Sequence, residues 1–271
     1  MTHTRNFFVA LALAFAALVP GAAQTSAADG GTGTHGAQVI AHRGAWNGSD
    51  APQNSRASLC HALTMDIYGS ETDVWLTTDG ELFVNHDPTR EGLRLEDSSS
   101  RQVKALRLAN GESLPRLADF LSILKASSSP VRLVLEVKPH STPQRNAAAA
   151  RAAVKAVGEA GLHAKVEYIS FSLDACKAIC EADPEALVAY LNGDMAPADL
   201  KPLGIRAIDY NQGVLRKHPE WVKEAHDLGM TVNVWTVDKV SAMAEMTELG
   251  VDFITTNKPA VAARLREVYG Q

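Results

Sequence analysis

From Gln38 to the C-terminus the chain alternates between short apolar extended runs and helical patterns, and this alternation constrains its fold more than any other feature. The extended runs are Gln38-Ala41, Tyr68-Asp73, Arg132-Val137, Val166-Phe171, Leu187-Leu191, Arg206-Tyr210, Thr231-Thr236 and Asp252-Thr255. Between them, helical spacing occupies Ser55-Met65, Leu117-Lys125, Pro143-Glu159, Leu173-Glu181, Pro197-Lys201, Pro219-Leu228, Val240-Leu249 and Pro259-Tyr269. Pro143, Pro197, Pro219 and Pro259 stand near helix starts, where a missing N–H leaves no hydrogen bond unmade. Gly161, Gly204, Gly229 and Gly250 stand just past helix ends, as C-caps do. Parallel strands need long crossovers, which the helices supply. Eight such units in about 230 residues predict a single α/β domain, a (β/α)8 TIM barrel. A doubly wound open sheet is the competing arrangement, but no Gly-rich phosphate fingerprint follows the first strand.

One segment departs from the pattern. Glu71 to Asp87 reads as two extended arms joined at Asp79-Gly80, so the second strand carries a β-hairpin extension. The return arm Leu82-His86 must run antiparallel and cannot be a barrel stave. Side chains alternate along a strand, so Glu71 and Asp73 share a face. A two-residue loop places His86 opposite Asp73. A three-residue loop with a Gly80 bulge brings Asn85 there instead.

Barrels of this kind carry their sites at the C-terminal ends of the strands. Those ends read His42-Arg43-Gly44, Glu71/Asp73, Glu136/Lys138, Ser170/Ser172, Asn192, Asp209/Asn211, Trp235 and Thr256/Asn257. Glu71, Asp73 and Glu136 are hard oxygen ligands suited to Mg²⁺ or Ca²⁺, with open positions for water or substrate. Arg43 and Lys138 supply fixed positive charge for an anion such as a phosphate. Arg43 as a structural clamp on a carboxylate, and Lys138 as a surface residue, are the plainer alternatives. His42 and His86 are suited to acid and base roles near neutral pH. Trp235 is either packing at the barrel mouth or an apolar wall for substrate. Cation, basic side chains and two histidines together suit displacement at phosphorus.

With 46% apolar and 21% charged residues, a net charge of −5 and no basic cluster, the composition argues against nucleic acid as partner. Arg5, the apolar run Phe7 to Val19 and the small residues to about Ala28 read as a secretory signal peptide. The run falls short of the roughly 20 residues a span requires, which leaves no transmembrane anchor after cleavage. The expected organisation is therefore a signal peptide (1–28), a linker (29–36) and a barrel domain (37–271), exported to the periplasm or secreted. Cys60, Cys176 and Cys180 read as small core residues, and none has zinc spacing. His61, His163, His218 and His226 fall in or beside helices and read as solvent-facing.

The motifs in order, His42-Arg43-Gly44, Pro52-Gln53-Asn54-Ser55, Glu71-x-Asp73 with Thr77-x-Asp79-Gly80, Asn85-His86-Asp87 and Glu136-Val137-Lys138, resemble the glycerophosphodiester phosphodiesterase family. Ile169-Ser170-Phe171 and Trp235-Thr236 continue the resemblance, which runs from about Val39 to Ala260. It implies one divalent ion, Ca²⁺ or Mg²⁺, held by Glu71, Asp73 and Glu136. It also implies His42 and His86 as the acid–base pair, and Arg43 and Lys138 on the phosphate of a small-molecule phosphodiester. The family's Pro-Glu-Asn-Thr reads Pro52-Gln53-Asn54-Ser55 here. Ser55 keeps a hydroxyl at a helix start, whereas Gln53 removes a charge expected to orient Arg43 or a histidine. The short stretch between His86 and Glu136 leaves little room for a separate lid domain.

The expected activity is metal-dependent hydrolysis of glycerophosphodiesters to an alcohol and glycerol 3-phosphate. Phospholipase D-like or lyase cleavage of a lysolipid phosphodiester is the alternative on the same barrel. A non-catalytic phosphodiester-binding protein is the third reading, opposed by retention of all five ligand and acid–base groups. Head group, choice of ion and oligomeric state are left open by the sequence.

Overall fold

The computed structural model describes Met1 and residues 36–269, so the expected signal peptide and nearly all of the linker lie outside the described residues. Strand β1 (Gln38–Ala41) leads through helix α1 (Arg56–Ala62) to β2 (Gly69–Leu76), from which β3 (Leu82–Val84) turns back. A short hairpin, β4 (Thr89–Arg90) and β5 (Leu93–Arg94), then precedes α2 (Ser100–Val103) and α3 (Leu117–Ala126). The alternation resumes with β6 (Arg132–Val137), α4 (Pro143–Ala160), β7 (Val166–Ser170), α5 (Leu173–Ala182), β8 (Val188–Tyr190) and α6 (Pro197–Leu200). It closes with β9 (Ala207–Asn211), α7 (Gln212–Lys217), α8 (Glu220–Asp227), β10 (Thr231–Trp235), α9 (Val240–Leu249), β11 (Phe253–Thr256) and α10 (Pro259–Tyr269).

Eight parallel strands run in the order β1-β11-β10-β9-β8-β7-β6-β2, and β1–β2 pairing closes the barrel. The strand period of two separates two apolar layers. Ile40, Val134, Ile169, Ala189 and Ala207 point inward and form one cluster, while Val39, Leu133, Leu135, Val188, Ile208, Val232 and Val234 pack outward under the helices. Helix limits follow the punctuation read from the sequence. Ser55 caps α1 by accepting from Ser58 N–H, Thr142 with Pro143 opens α4, and Gly161 and Gly250 end α4 and α9 in the left-handed region at φ 71° and 91°. Pro219 precedes α8 as its N-cap residue. No described helix is long and apolar enough to cross a membrane.

The hairpin settles on the three-residue loop. Its pairs are Val74 with Val84, Trp75 with Phe83 and Leu76 with Leu82, and the Asn85 N–H donates to the Asp73 carbonyl at 3.1 Å. Asn85, not His86, therefore stands opposite Asp73. The loop residues explain the choice. Gly80 adopts φ +86°, the Thr77 and Glu81 backbones close the turn, and Asp79 is tied to Thr77 Oγ1 and to Ser100 N–H, each at 2.8 Å.

Residues after β3 do more than connect. Trp75, Phe83, Leu95, Val103, Leu106, Leu108 and Leu114 form a satellite core beneath the excursion, anchoring it to the hairpin. This cluster was not expected from the sequence, because apart from β2 its elements are only two to four residues long and carry no sustained period. Cys176 is buried and Cys180 half-buried, but Cys60 is exposed, contrary to expectation. Helix α1 turns Leu59 and Ala62 inward, which leaves Cys60 on the outer side.

Candidate active site

The end of β1 turns sharply into the site. Arg43 adopts φ +58°, and its N–H donates to Glu71 Oε2 at 2.8 Å. Gly44, at φ +83°, permits the turn: a Cβ there would stand 2.4 Å from Ser58 Oγ. The Arg43 guanidinium is held from two sides, with Nη1 donating to Gln53 Oε1 at 2.7 Å and Nε 3.9 Å from Asp73 Oδ2.

Glu71 and Asp73 from β2 and Glu136 from β6 converge, each offering an oxygen within 4.8 Å of the others. All three are buried, at 3%, 1% and 7% exposure. Burial, aggravated by Asp73 and Glu136, pushes the Glu71 carboxyl well above the usual range. Glu136 is pushed up to about 8 by burial and by Asp73. Burial would raise Asp73 as well, but Lys138, His86, Asn54 and Arg43 outweigh it and keep that carboxyl ionised. Lys138 Nζ donates to Asp73 Oδ1 at 3.2 Å and lies 2.8 Å from Glu136 Oε1. Glu71 Oε1 has no hydrogen-bond partner. Three close hard-oxygen donors, one of them orphaned, with a single lysine as partial compensation, fit a hard divalent cation.

His42 Nδ1 lies 2.8 Å from Asn257 Oδ1. The orientation of that amide is fixed by Asp238, which accepts from Asn257 N–H and from Asn257 Nδ2, each at 2.8 Å. The imidazole therefore carries its proton on Nδ1, and the Nε2 lone pair faces Glu71, 3.9 Å away. Burial and the adjacent Arg43 lower the His42 pKa to about 4, so the ring is neutral at pH 7. The His86 side chain is 40% exposed, and its Nδ1 donates to Asp87 Oδ1 at 2.7 Å. Although the register moves it off Asp73, His86 still lines the same cavity as His42, Arg43, Glu71, Glu136 and Lys138.

The far wall of that cavity is apolar, formed by Ile169, Phe171, Leu191 and Trp235. Phe171 and Trp235 meet edge to face with centroids 5.5 Å apart, and Trp235 Nε1 donates to the Asp209 carbonyl at 2.9 Å. Asp209 lines the cavity as well. The structure thus brings together every expected site residue: His42, His86, Arg43, Lys138, Trp235, Glu71, Asp73 and Glu136.

Other polar strand ends do not join them. Ser170 Oγ donates to the Val137 carbonyl, Ser172 caps α5, Asn211 caps α7 and Asn192 pairs with Asp194. A strand end in this fold is also a helix start, and capping accounts for these residues. Sequence reasoning missed three supports. Asn54, at φ +56°, donates to Asp73 Oδ2 and accepts from Thr72 Oγ1, both at 2.7 Å. Asp238 holds Asn257. Buried His140 accepts from Leu76 N–H and donates to the Lys138 carbonyl, at 3.0 and 2.8 Å, fixing the segment after Glu136. The Asn in Pro52-Gln53-Asn54 and the Asp after Trp235-Thr236-Val237 were visible signals, but their partners lie too far along the chain to be read from it.

Comparison with known proteins gives a consistent result. The glycerophosphoryl diester phosphodiesterase family matches residues 42–261. A Mycobacterium tuberculosis protein named "Probable glycerophosphodiester phosphodiesterase 2" is 29% identical over 89% of this chain and 96% of its own. The crystal structure of a glycerophosphodiester phosphodiesterase from Parabacteroides distasonis is 44% identical with TM-score 0.86, covering 88% of this chain and all of that one. An Oleispira antarctica phosphodiesterase in complex with its product sn-glycerol-3-phosphate shares the fold at 22% identity and TM-score 0.72, over 85% of this chain and 96% of that one.

Proposed function

The chain belongs to the glycerophosphoryl diester phosphodiesterase family, whose members are phosphoric diester hydrolases, and from that premise we propose that it hydrolyses glycerophosphodiesters to an alcohol and glycerol 3-phosphate. The observation that carries this reading is the two-sided cavity: three carboxylates, two cations and two histidines face an apolar wall. That division suits a substrate with a charged phosphate and a small carbon skeleton. The product named for the Oleispira antarctica relative supports the same reading.

Glu71, Asp73 and Glu136 would hold one divalent cation, Ca²⁺ or Mg²⁺, which when bound supplies neutralisation of negative charge on the phosphate oxygens. Arg43 and Lys138 orient the phosphate from beside that cluster, and Gln53 anchors the guanidinium through Nη1. His42 is the general base. With Nδ1–H given to Asn257, its Nε2 accepts the proton of the attacking hydroxyl, either that of water or the substrate's neighbouring one, in which case a cyclic phosphate forms and water then opens it to glycerol 3-phosphate. His86 is the general acid. Its Nδ1–H is held by Asp87, and the proton on Nε2 passes to the leaving alkoxide as the new P–O bond forms and the old one breaks. Trp235 and Phe171 pack against the substrate's carbon atoms. The N-terminal pattern supports export to the periplasm or outside the cell, which fractionation with a C-terminal tag would test.

The experiment is turnover of glycerophosphocholine and glycerophosphoethanolamine before and after chelation, with Ca²⁺ or Mg²⁺ restored. Activity is expected to vanish on chelation and return with one of the ions. Undiminished activity in chelator would remove the cation from the mechanism, and no turnover in either ion would remove the substrate class. For the histidines, His86→Ala should lose far less on a diester with a p-nitrophenol leaving group, which departs without a proton. Equal losses on both leaving groups would contradict the acid role.

A further inference from the structure

Among the described residues two carboxylate oxygens are buried without a hydrogen-bond donor, Glu71 Oε1 and Asp209 Oδ1, whereas Glu136 Oε1 has the Lys138 ammonium 2.8 Å away. Glu71 belongs to the cation cluster. Asp209 does not. It comes from β9, four strands from β2 in either direction around the barrel, and it is 2% exposed while lining the substrate cavity. Its surroundings do not explain it. Trp235 Nε1 donates to the backbone carbonyl of Asp209 and not to its carboxyl. Asn233 gives partial support to the carboxyl while donating to Thr255 Oγ1 at 2.8 Å, and still leaves Oδ1 with nothing. The charged group that acts on Asp209 is Glu167, a like charge. A buried carboxylate without a partner lowers stability, and such a group persists where a ligand completes it.

Resting on the glycerophosphodiester reading above, we propose that Asp209 is a specificity residue that binds the terminal glycerol hydroxyl of the substrate, the one remote from phosphorus, while the carbon skeleton packs on Ile169, Leu191 and Trp235. The position opposite β2 agrees with this: phosphate at the β1, β2 and β6 edge directs the far end of a three-carbon chain toward β9. The chemistry selects a hydroxyl over a cationic head group. Burial and Glu167 push the Asp209 carboxyl up to about 7, so both protonation states are present at neutral pH. A hydroxyl both donates and accepts and pairs with either state, whereas an ammonium pairs with the ionised one alone. A trimethylammonium group carries no N–H to offer.

The test compares glycerophosphoethanolamine with its propane-1,2-diol analogue, which keeps the hydroxyl next to phosphorus and lacks the terminal one. Wild-type protein should favour the glycerol compound in kcat/KM by about tenfold or more, as expected for a hydrogen bond to a buried charged group. Asp209→Leu should bring the ratio to within about twofold, mainly through KM on the glycerol compound, and Asp209→Asn, which retains an acceptor, should fall between. Both variants should melt above the wild type, because each removes an uncompensated buried carboxyl; a merely structural aspartate predicts lower melting and equal losses on both substrates. Should Asp209→Leu fail to fold, the Asn variant carries both measurements. An unchanged ratio in folded variants, or a wild type indifferent to the terminal hydroxyl, overturns the assignment while leaving the function intact. A wild type that hydrolyses neither compound overturns the function, and this assignment with it.

Discussion

Replacing Asn54 tests whether the cation cluster is held by its neighbours or merely by its strands. Asn54 is 4% exposed at φ +56°, donates to Asp73 Oδ2 at 2.7 Å, and accepts from Thr72 Oγ1 at 2.7 Å and Asp73 N–H at 3.3 Å. In Asn54→Ala a hydrogen bond to a buried carboxylate is lost, about 1.5–3 kcal/mol, and a buried hydroxyl loses its acceptor, about 1 kcal/mol more. Alanine in the left-handed region adds about 1–2 kcal/mol, which asparagine tolerates better. The sum is about 3.5–6 kcal/mol, and about 2.5–5 if Thr72 finds another acceptor. Asn54→Gly loses the same bonds without the backbone strain, so it should be more stable than the alanine variant by about 1 kcal/mol. Equilibrium urea unfolding in chelator at pH 7 gives both values, with the chelator keeping bound cation from masking the difference. The same variants should bind Ca²⁺ or Mg²⁺ about 10- to 100-fold more weakly by calorimetry, since Asp73 is no longer aimed. An alanine variant within 1 kcal/mol of wild type, or identical Ala and Gly values, would refute the reasoning.

Three further outcomes are expected. Glu136 binds its proton up to about pH 8 instead of the ordinary 4.5, so the folded protein without cation holds a proton that the unfolded chain has released. That contribution is full below 4.5 and is lost as pH rises through about 8, so the melting temperature in chelator should fall across this window and cation should restore it. Cation binding at pH 7 should therefore expel protons, and a calorimetric enthalpy independent of buffer ionisation would contradict this. Asn257→Ala frees the His42 ring, and kcat should drop about 10- to 100-fold with KM nearly unchanged, whereas a KM effect alone would mean Asn257 acts on binding. Gln53→Glu places a carboxylate against Arg43 Nη1, and inhibition by glycerol 3-phosphate should weaken about three- to tenfold at low salt; tighter inhibition would reverse the role given to Gln53.

Much of the site was legible because its chemistry is local. Glu71 and Asp73 alternate on one strand, Glu136 and Lys138 on another, and strand ends in a closed barrel share one rim, so sequence order alone predicts their meeting. What the residue pattern overstated was the polar roster of that rim. Ser172 and Asn211 bind helix N–H groups, a local demand that looks the same in a sequence as a functional one. The exposure of Cys60 was misread for a related reason: two faces of a seven-residue helix are too short a pattern to orient it.

The strand–helix alternation, with its proline starts and glycine stops, was determined by the sequence alone, since backbone conformation and burial period are set by each residue and its near neighbours. That was enough for the barrel, for the helix boundaries to within a few residues, and for the identity of the charged groups at its mouth. Tertiary structure decided the hairpin register, because a two-residue and a three-residue loop differ by the anchorage of Asp79 to Ser100, 21 residues away. It also decided the His42 tautomer through Asn257, 215 residues distant, the aim of Asp73 through Asn54, and the isolation of Asp209. Each of these depends on which atoms lie within about 3 Å after the barrel closes, a condition that closure imposes and no local pattern encodes.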